Sequence, residues 1–142
     1  MADVRPHQAA RPIAIARRPV YGWLLPVPIV CFVGALVTDL AYQGSGGNLL
    51  WVNFSSWLIA AGLLIGALAA LFALIDAIRG VGLLWGFLLL VAAWIVELIN
   101  SFIHARDGWT AVVPDGLVLS IVGVVLIVVA GWLLRPAYEV RP

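Results

Sequence analysis

Four polar residues follow one another at helical spacing late in the chain. They are Glu97, Asn100, Ser101 and His104, and positions i, i+3, i+4 and i+7 lie on one face of an α-helix. Carboxyl, amide and imidazole groups on one face can share hydrogen bonds, or can bind and release a proton. Two interpretations are therefore open: a buried hydrogen-bond network, and a pocket that handles a proton or cation.

Further polar residues lie in two earlier segments of the chain. Asp39 is close to the end of one apolar segment, and Asn53 lies with Ser55 and Ser56 at the start of the next. At about 1.5 Å of rise per residue, Glu97 lies about 10 Å inward of His104. We expect the polar residues of the two earlier segments to lie at a similar depth in the membrane. The predicted polar cluster consists of Asp39, Asn53, Glu97, Asn100 and His104.

In the pocket interpretation, the two carboxyl groups act together. Asp39 and Glu97 are paired carboxylates that compete for a proton or cation, and His104 is the group nearest the outer water. In the network interpretation the same groups satisfy one another and fix the rotation of the helices.

The elements that position these residues must be membrane helices. Of 142 residues, 64% are hydrophobic and 11% are charged, and the mean hydropathy of +1.11 excludes an ordinary soluble domain. Four segments, at about residues 23–42, 49–78, 82–104 and 116–134, are long enough to cross about 30 Å of hydrocarbon. Because the connectors are short, the sequence predicts an all-α integral membrane domain, residues 21–135, with four transmembrane helices in an antiparallel up-down bundle.

The arginines predict how the chain is oriented. Seven of the eight arginines fall on one side of the predicted membrane, and Arg106 falls on the other. Cytoplasmic segments of membrane proteins are enriched in Arg and Lys. We therefore expect a multi-pass protein of the bacterial cytoplasmic membrane with both termini in the cytoplasm. Residues 1–20 form a basic tail predicted to be disordered, and residues 136–142 form a second cytoplasmic tail. The other seven arginines are Arg5, Arg11, Arg17, Arg18, Arg79, Arg135 and Arg141.

Small residues on the second segment predict close helix packing. Gly62, Gly66 and Ala70 recur at four-residue spacing, and small residues let helix backbones approach in a membrane. The partner can be another helix of the bundle, a second copy or another subunit. At the end of the same segment, Asp76 and Arg79 are three residues apart and are expected to form an interfacial ion pair.

The sequence carries no motif that predicts catalysis. The Walker, HExxH, CxxC and GxSxG patterns are missing, and a triad of Ser55 or Ser56 with His104 and Asp39 lacks a nucleophile motif. We predict no metal site and no cofactor. The only other histidine is His7, so haem, like quinone, is expected only in a site shared with a partner. A net charge of +1 argues against nucleic acid as a partner.

Residues 18–29, with the sequence RPVYGWLLPVPI, and the later Asp39 resemble a bacterial membrane-protein family, domain of unknown function 2231. That family opens with a pattern close to HPxHxxLVPFPI, and Arg18 and Tyr21 replace its two histidines. The resemblance spans roughly residues 18–134 and implies a four-helix bundle of unassigned biochemistry, sometimes associated with redox or respiratory proteins. Further matching positions are Pro19, Leu24, Pro26, Pro28, Ile29, Gly62, Gly66, Asp76, Asn100, Gly131 and Trp132.

The functional expectation from the sequence is a non-catalytic structural or accessory subunit of a membrane complex. Its partners are the lipid bilayer and either copies of itself or other subunits. A proton- or cation-handling module that uses the buried carboxylates is one alternative. An electron-transfer accessory subunit with a shared haem or quinone site is the other.

Overall fold

The computed structural model describes residues 19–80 and 83–135, and every regular element within them is helical. Two short helical turns, Arg106–Trp109 and Val112–Gly116, lie between the last two α-helices. The tails predicted for residues 1–20 and 136–142 lie outside the described residues, except for Pro19 and Val20. The α-helices are α1 (Tyr21–Leu24), α2 (Pro26–Gly44), α3 (Leu49–Ile78), α4 (Leu84–His104) and α5 (Leu117–Leu133).

Four stretches are long and apolar enough to cross a membrane, which confirms the predicted all-α class with four spanning helices. The longest, α3, has 30 residues and measures about 45 Å at 1.5 Å per residue. Its first turn is capped by Asn48, whose side-chain oxygen accepts a hydrogen bond of 3.0 Å from the amide of Leu50. The spans are Tyr21–Gly44, Leu49–Ile78, Leu84–His104 and Val112–Leu133.

Buried positions on the long helices alternate in spacing between three and four residues. This 3.5-residue period keeps one seam of a helix facing its neighbours along its whole length. On α3 the seam passes from Gly66 to Ala69, so Ala70 is only half-buried. The small residues predicted at four-residue spacing therefore leave the buried seam after Gly66. On α4 the seam consists of Gly86, Leu90, Ala93, Glu97, Asn100 and His104.

The long helices form a ring in which each contacts the helices before and after it. α2 and α4 both pack on α3, and α5 packs on both α4 and α2. Residues of α2 and α3 contact one another in reverse order along the sequence. Gly62 lies against Phe32, whereas Gly66, later in α3, lies against Pro28, earlier in α2. The end of α2 meets the starts of α3 and α5, and the end of α4 meets them as well, at one end of the bundle, called here the cluster end.

Apolar side chains fill the bundle on both sides of a polar layer. The larger cluster occupies the middle and the far end, and includes Phe32, Leu90 and Leu134. A smaller cluster of Tyr42, Val52 and Val112 closes the cluster end. The layer between these two apolar clusters consists of buried polar side chains.

Gly66 is buried inside the bundle, where a Cβ would lie 3.4 Å from Trp94 Cδ1 and 3.6 Å from Pro28 Cβ. We expect Gly66→Leu to lower the melting temperature in detergent, because a longer side chain must push these two residues apart. Val128→Leu is the matched control, since Val128 is 47% exposed on the lipid side. Equal melting of both variants and the parent would show that the Gly66 face carries no packing energy.

Candidate functional site

Six polar side chains meet in a fully buried cluster near the cluster end. Every one of them has zero exposure, although uncompensated polar groups in an apolar interior cost several kcal/mol each. Each of the four long helices supplies at least one member. The cluster consists of Asp39 from α2, Ser55 from α3, Glu97, Asn100 and His104 from α4, and Ser120 from α5.

Asp39 is the centre of the cluster, with a hydrogen bond to each of the other three long helices. Its Oδ1 accepts a bond of 2.6 Å from the hydroxyl of Ser55 and lies 2.8 Å from Nε2 of His104. Its Oδ2 accepts a bond of 2.5 Å from the hydroxyl of Ser120. This carboxyl group therefore ties α2 to α3, α4 and α5 at a single depth.

The geometry of His104 determines how many protons the pair with Asp39 holds. Nδ1 lies 3.0 Å from the carbonyl oxygen of Asn100, and a carbonyl only accepts, so Nδ1 carries a hydrogen. Nε2 and Asp39 Oδ1 are 2.8 Å apart, which needs one proton between them. On either atom, that proton makes the pair neutral overall, which suits an apolar interior.

The Ser55 hydroxyl lies close to both members of this pair but is not placed as a catalytic nucleophile. In a hydrolase triad the carboxylate and the serine bind opposite nitrogens of the imidazole. Here Ser55 Oγ is 3.1 Å from Nε2 of His104, the same nitrogen that faces Asp39. The hydroxyl hydrogen is directed to the carboxylate, and the group is fully buried.

Glu97 and Asn100 form the deeper half of the cluster, and two of their oxygens have no partner. The amide nitrogen of Asn100 donates to Glu97 Oε2 at 3.1 Å and to Ser120 Oγ at 2.9 Å. Glu97 Oε1 and Asn100 Oδ1 are buried and accept no hydrogen bond in the described part of the chain. Buried polar atoms are paired in the great majority of cases, so these two oxygens need an explanation.

Two glycines of α5 leave room for this part of the cluster. A Cβ on Gly123 would overlap Glu97 Oε1, and a Cβ on Gly116 would lie 3.0 Å from Cε1 of His104. Each glycine thus lets the helix backbone pass directly beside a polar side chain. The approach brings the Gly123 Cα–H group against the unpartnered Glu97 oxygen, a weak contact that recurs between packed helices.

The structure brings together four of the five residues that the sequence placed in the cluster: Asp39, Glu97, Asn100 and His104. Asn53 is exposed on the surface of α3. Its place is taken by Ser55, which the sequence offered as a neighbour of Asn53 and as one choice for a triad with His104 and Asp39. Ser120 was missed, although a signal exists, because it is the one polar side chain within Leu117–Leu133.

The ion pair expected between Asp76 and Arg79 does not form in residues 19–80. Arg79 is the exposed residue that ends α3, whereas Asp76 is half-buried. A surface ion pair joins Arg106 and Asp115 at 3.1 Å.

Within residues 19–80 and 83–135, no group of three or more His, Cys, Asp or Glu side chains is placed to hold a metal ion. The six members of the cluster carry hydrogen-bonding and proton-binding chemistry. Its titratable groups are Asp39, Glu97 and His104.

Comparison with known proteins gives a family for the chain. Neither the curated proteins nor the solved structures contain a match. A family model with the description "Predicted membrane protein (DUF2231)" matches residues 17–134, in agreement with the resemblance seen in the sequence. Because this match covers most of the 142 residues and the structure has four helices of membrane-spanning length, the chain belongs to the DUF2231 family of membrane proteins.

Proposed function

We propose that this chain is a proton-handling membrane module in which Glu97 takes up and releases a proton. The observation that carries the proposal is the unpartnered Oε1 of a fully buried Glu97. Ionisable groups within membrane helices mark proton and ion pathways. In the transfer itself, a proton from water adds to the Glu97 carboxylate to form the neutral acid, and leaves by the reverse step.

The neighbouring pair differs from Glu97 in how well it is satisfied. Asp39 accepts from two hydroxyl groups and shares a proton with His104, so a change of charge there breaks several bonds at once. Within residues 19–80 and 83–135, Glu97 has one hydrogen bond, from Asn100. In the ionised form it would hold a negative charge with one donor in an apolar interior, so the neutral acid is the stable state and the anion the transient one.

In the structural or accessory role expected from the sequence, the same contacts would fix the helices relative to one another. A network that only fixes the helices gains most when every member is satisfied, and Glu97 Oε1 and Asn100 Oδ1 are not. The electron-transfer alternative draws no support from His104, because both ring nitrogens are already hydrogen-bonded. A metal ligand needs one of these nitrogens free.

Infrared spectroscopy of the purified protein in lipid tests the proposal. We expect the carbonyl band of a protonated carboxylic acid near neutral pH, and we expect Glu97→Gln to remove it because glutamine has an amide in place of the carboxylic acid. Asp76→Asn is the matched control, since Asp76 lies at the opposite end of α3 from Ser55 and its loss should leave the band in place. Raising the pH should diminish the band reversibly in the parent protein.

Two results would contradict the proposed function. An unchanged spectrum in Glu97→Gln would mean that the acid band belongs to another residue. A Glu97 band that stays constant over the whole pH range in which the protein is folded would mean that Glu97 does not release its proton in that range. The second result would favour the structural network.

We also propose that the cluster end faces away from the cytoplasm. Arg79 and Arg135 lie at the far end of the bundle, whereas Arg106 lies at the cluster end, and the remaining arginines fall in the two tails. Reporter fusions after Asn48 and after Gly108 should therefore read as exported, and a fusion at the C-terminus as cytoplasmic. A cytoplasmic signal from the fusion after Asn48 would reverse this orientation.

A further inference from the structure

The apolar covering of the polar cluster is much thinner on one side than on the other. At the cluster end it consists of Tyr42, Val52 and Val112, with Trp51 and Val113 packed against them. Val112 belongs to the short turn Val112–Gly116 rather than to a long helix. This group of three residues is called here the cover.

The opposite side of the cluster is closed by most of the length of the bundle. From Glu97 to the start of α4 at Leu84 there are 13 residues, or about 20 Å at 1.5 Å per residue. From Glu97 to His104, beneath the cover, there are seven residues, or about 10 Å. The long side is packed with large apolar residues such as Leu90 and Ile127.

Polar groups line the short route without a break. His104 lies at the end of α4, directly against Gly116 of the cover segment. From it, hydrogen bonds lead to Asp39 at 2.8 Å and on to Ser120 at 2.5 Å. Asn100 then joins Ser120 to Glu97.

The segment Val112–Gly116, which carries part of the cover, is less regular than the long helices, because Val113 within it has non-helical backbone angles. An ion pair across the connector joins Arg106 and Asp115, and both side chains are more than half exposed. Exposed pairs of this kind contribute little to stability because water and salt screen them. The segment packs on α2, α4 and α5 and buries Val112 and Gly116, but a five-residue irregular segment opens more easily than a long packed helix does.

We propose that the segment Val112–Gly116 is a gate, and that the proton of Glu97 exchanges with water through the cluster end when this segment moves aside. The inference rests on the proposed function and adds the route. The titratable groups that face Glu97 are Asp39 from α2 and His104 from its own helix. α3 and α5 contribute the hydroxyl groups of Ser55 and Ser120 to this layer.

The test is the rate at which the Glu97 carboxylic acid exchanges hydrogen for deuterium, followed by the shift of its infrared band in D₂O. Val112→Ala should accelerate exchange about tenfold, because the cover loses apolar contacts equivalent to two methylene groups. Leu90→Ala is the matched control: Leu90 is equally buried, on the long side of the cluster. It should leave the exchange rate within about twofold of the parent.

If Val112→Ala does not fold, Asp115→Asn supplies the second variant, because it weakens the surface ion pair without touching the core. It should also accelerate exchange, by a smaller factor. Three results would overturn the gate. Exchange could be faster in Leu90→Ala than in Val112→Ala and Asp115→Asn, it could be accelerated equally in all three variants, or it could be accelerated in none of them. If the parent shows no Glu97 acid band at all, the proposed function itself fails and the gate with it.

Discussion

Asp39→Leu is expected to lower the free energy of unfolding by about 3–5 kcal/mol, the cost of breaking a buried pair from one side. The substitution leaves Ser55, Ser120 and His104 without the acceptor that they share. Each of these donors then lies in an apolar interior with no compensating bond. The measurement is reversible unfolding of the protein in mixed micelles, followed by circular dichroism.

The neighbouring Thr38 provides the control for this experiment. Its hydroxyl bonds only to the backbone of its own helix, at Gly34 and Ala35, so Thr38→Val should change stability little. Asp39→Asn should fall between the two, because the amide keeps one acceptor and the shape of the side chain. If Asp39→Leu were as stable as Thr38→Val, the cluster would contribute nothing to holding the four helices together.

Gly123→Ala is expected to destabilise the bundle by about 1–3 kcal/mol, although alanine is the better helix former. The added Cβ would occupy the position of Glu97 Oε1, and overpacking a filled interior has a cost of this size. The gain in helix propensity is about 1 kcal/mol at most. Because the carboxyl group must move, the infrared band of Glu97 should also shift.

The control for Gly123→Ala is another helical glycine with a more yielding neighbour. A Cβ on Gly34 would lie 3.1 Å from Cδ1 of Leu58, the end of a flexible side chain that is half-buried. Gly34→Ala should therefore be neutral or slightly stabilising. An unshifted Glu97 band together with parental stability in Gly123→Ala would mean that Glu97 does not pack against α5.

Several features of this protein could be predicted from local sequence alone. Four apolar runs of sufficient length predict four spanning helices, because only a helix satisfies its backbone hydrogen bonds within one segment in lipid. The shared face of Glu97, Asn100 and His104 follows from the helical period. The double-proline segment that opens α2 and the later Asp39 indicated the family.

The tertiary structure decided which of these residues contact one another. Asp39 and His104 are 65 positions apart in the chain, and no local pattern fixes that they share a proton. Asn53 and Ser55 differ by two positions, which is a rotation of about 200° around a helix. Burial of the small residues Gly62 and Gly66 turns α3 so that Ser55 faces inward and Asn53 outward.

The same distinction accounts for Ser120 and for the ion pair that did not form. In the apolar sequence of α5, Ser120 becomes part of the site only because Gly116 and Gly123 let α5 approach α4 closely. Near the end of α3, Asp76 is half-buried whereas Arg79 is exposed, so the two side chains do not form the pair that their spacing allows. Helix length and face are set within one segment, whereas rotation and depth are set by how neighbouring helices fit together, and on these the contacts of the cluster depend.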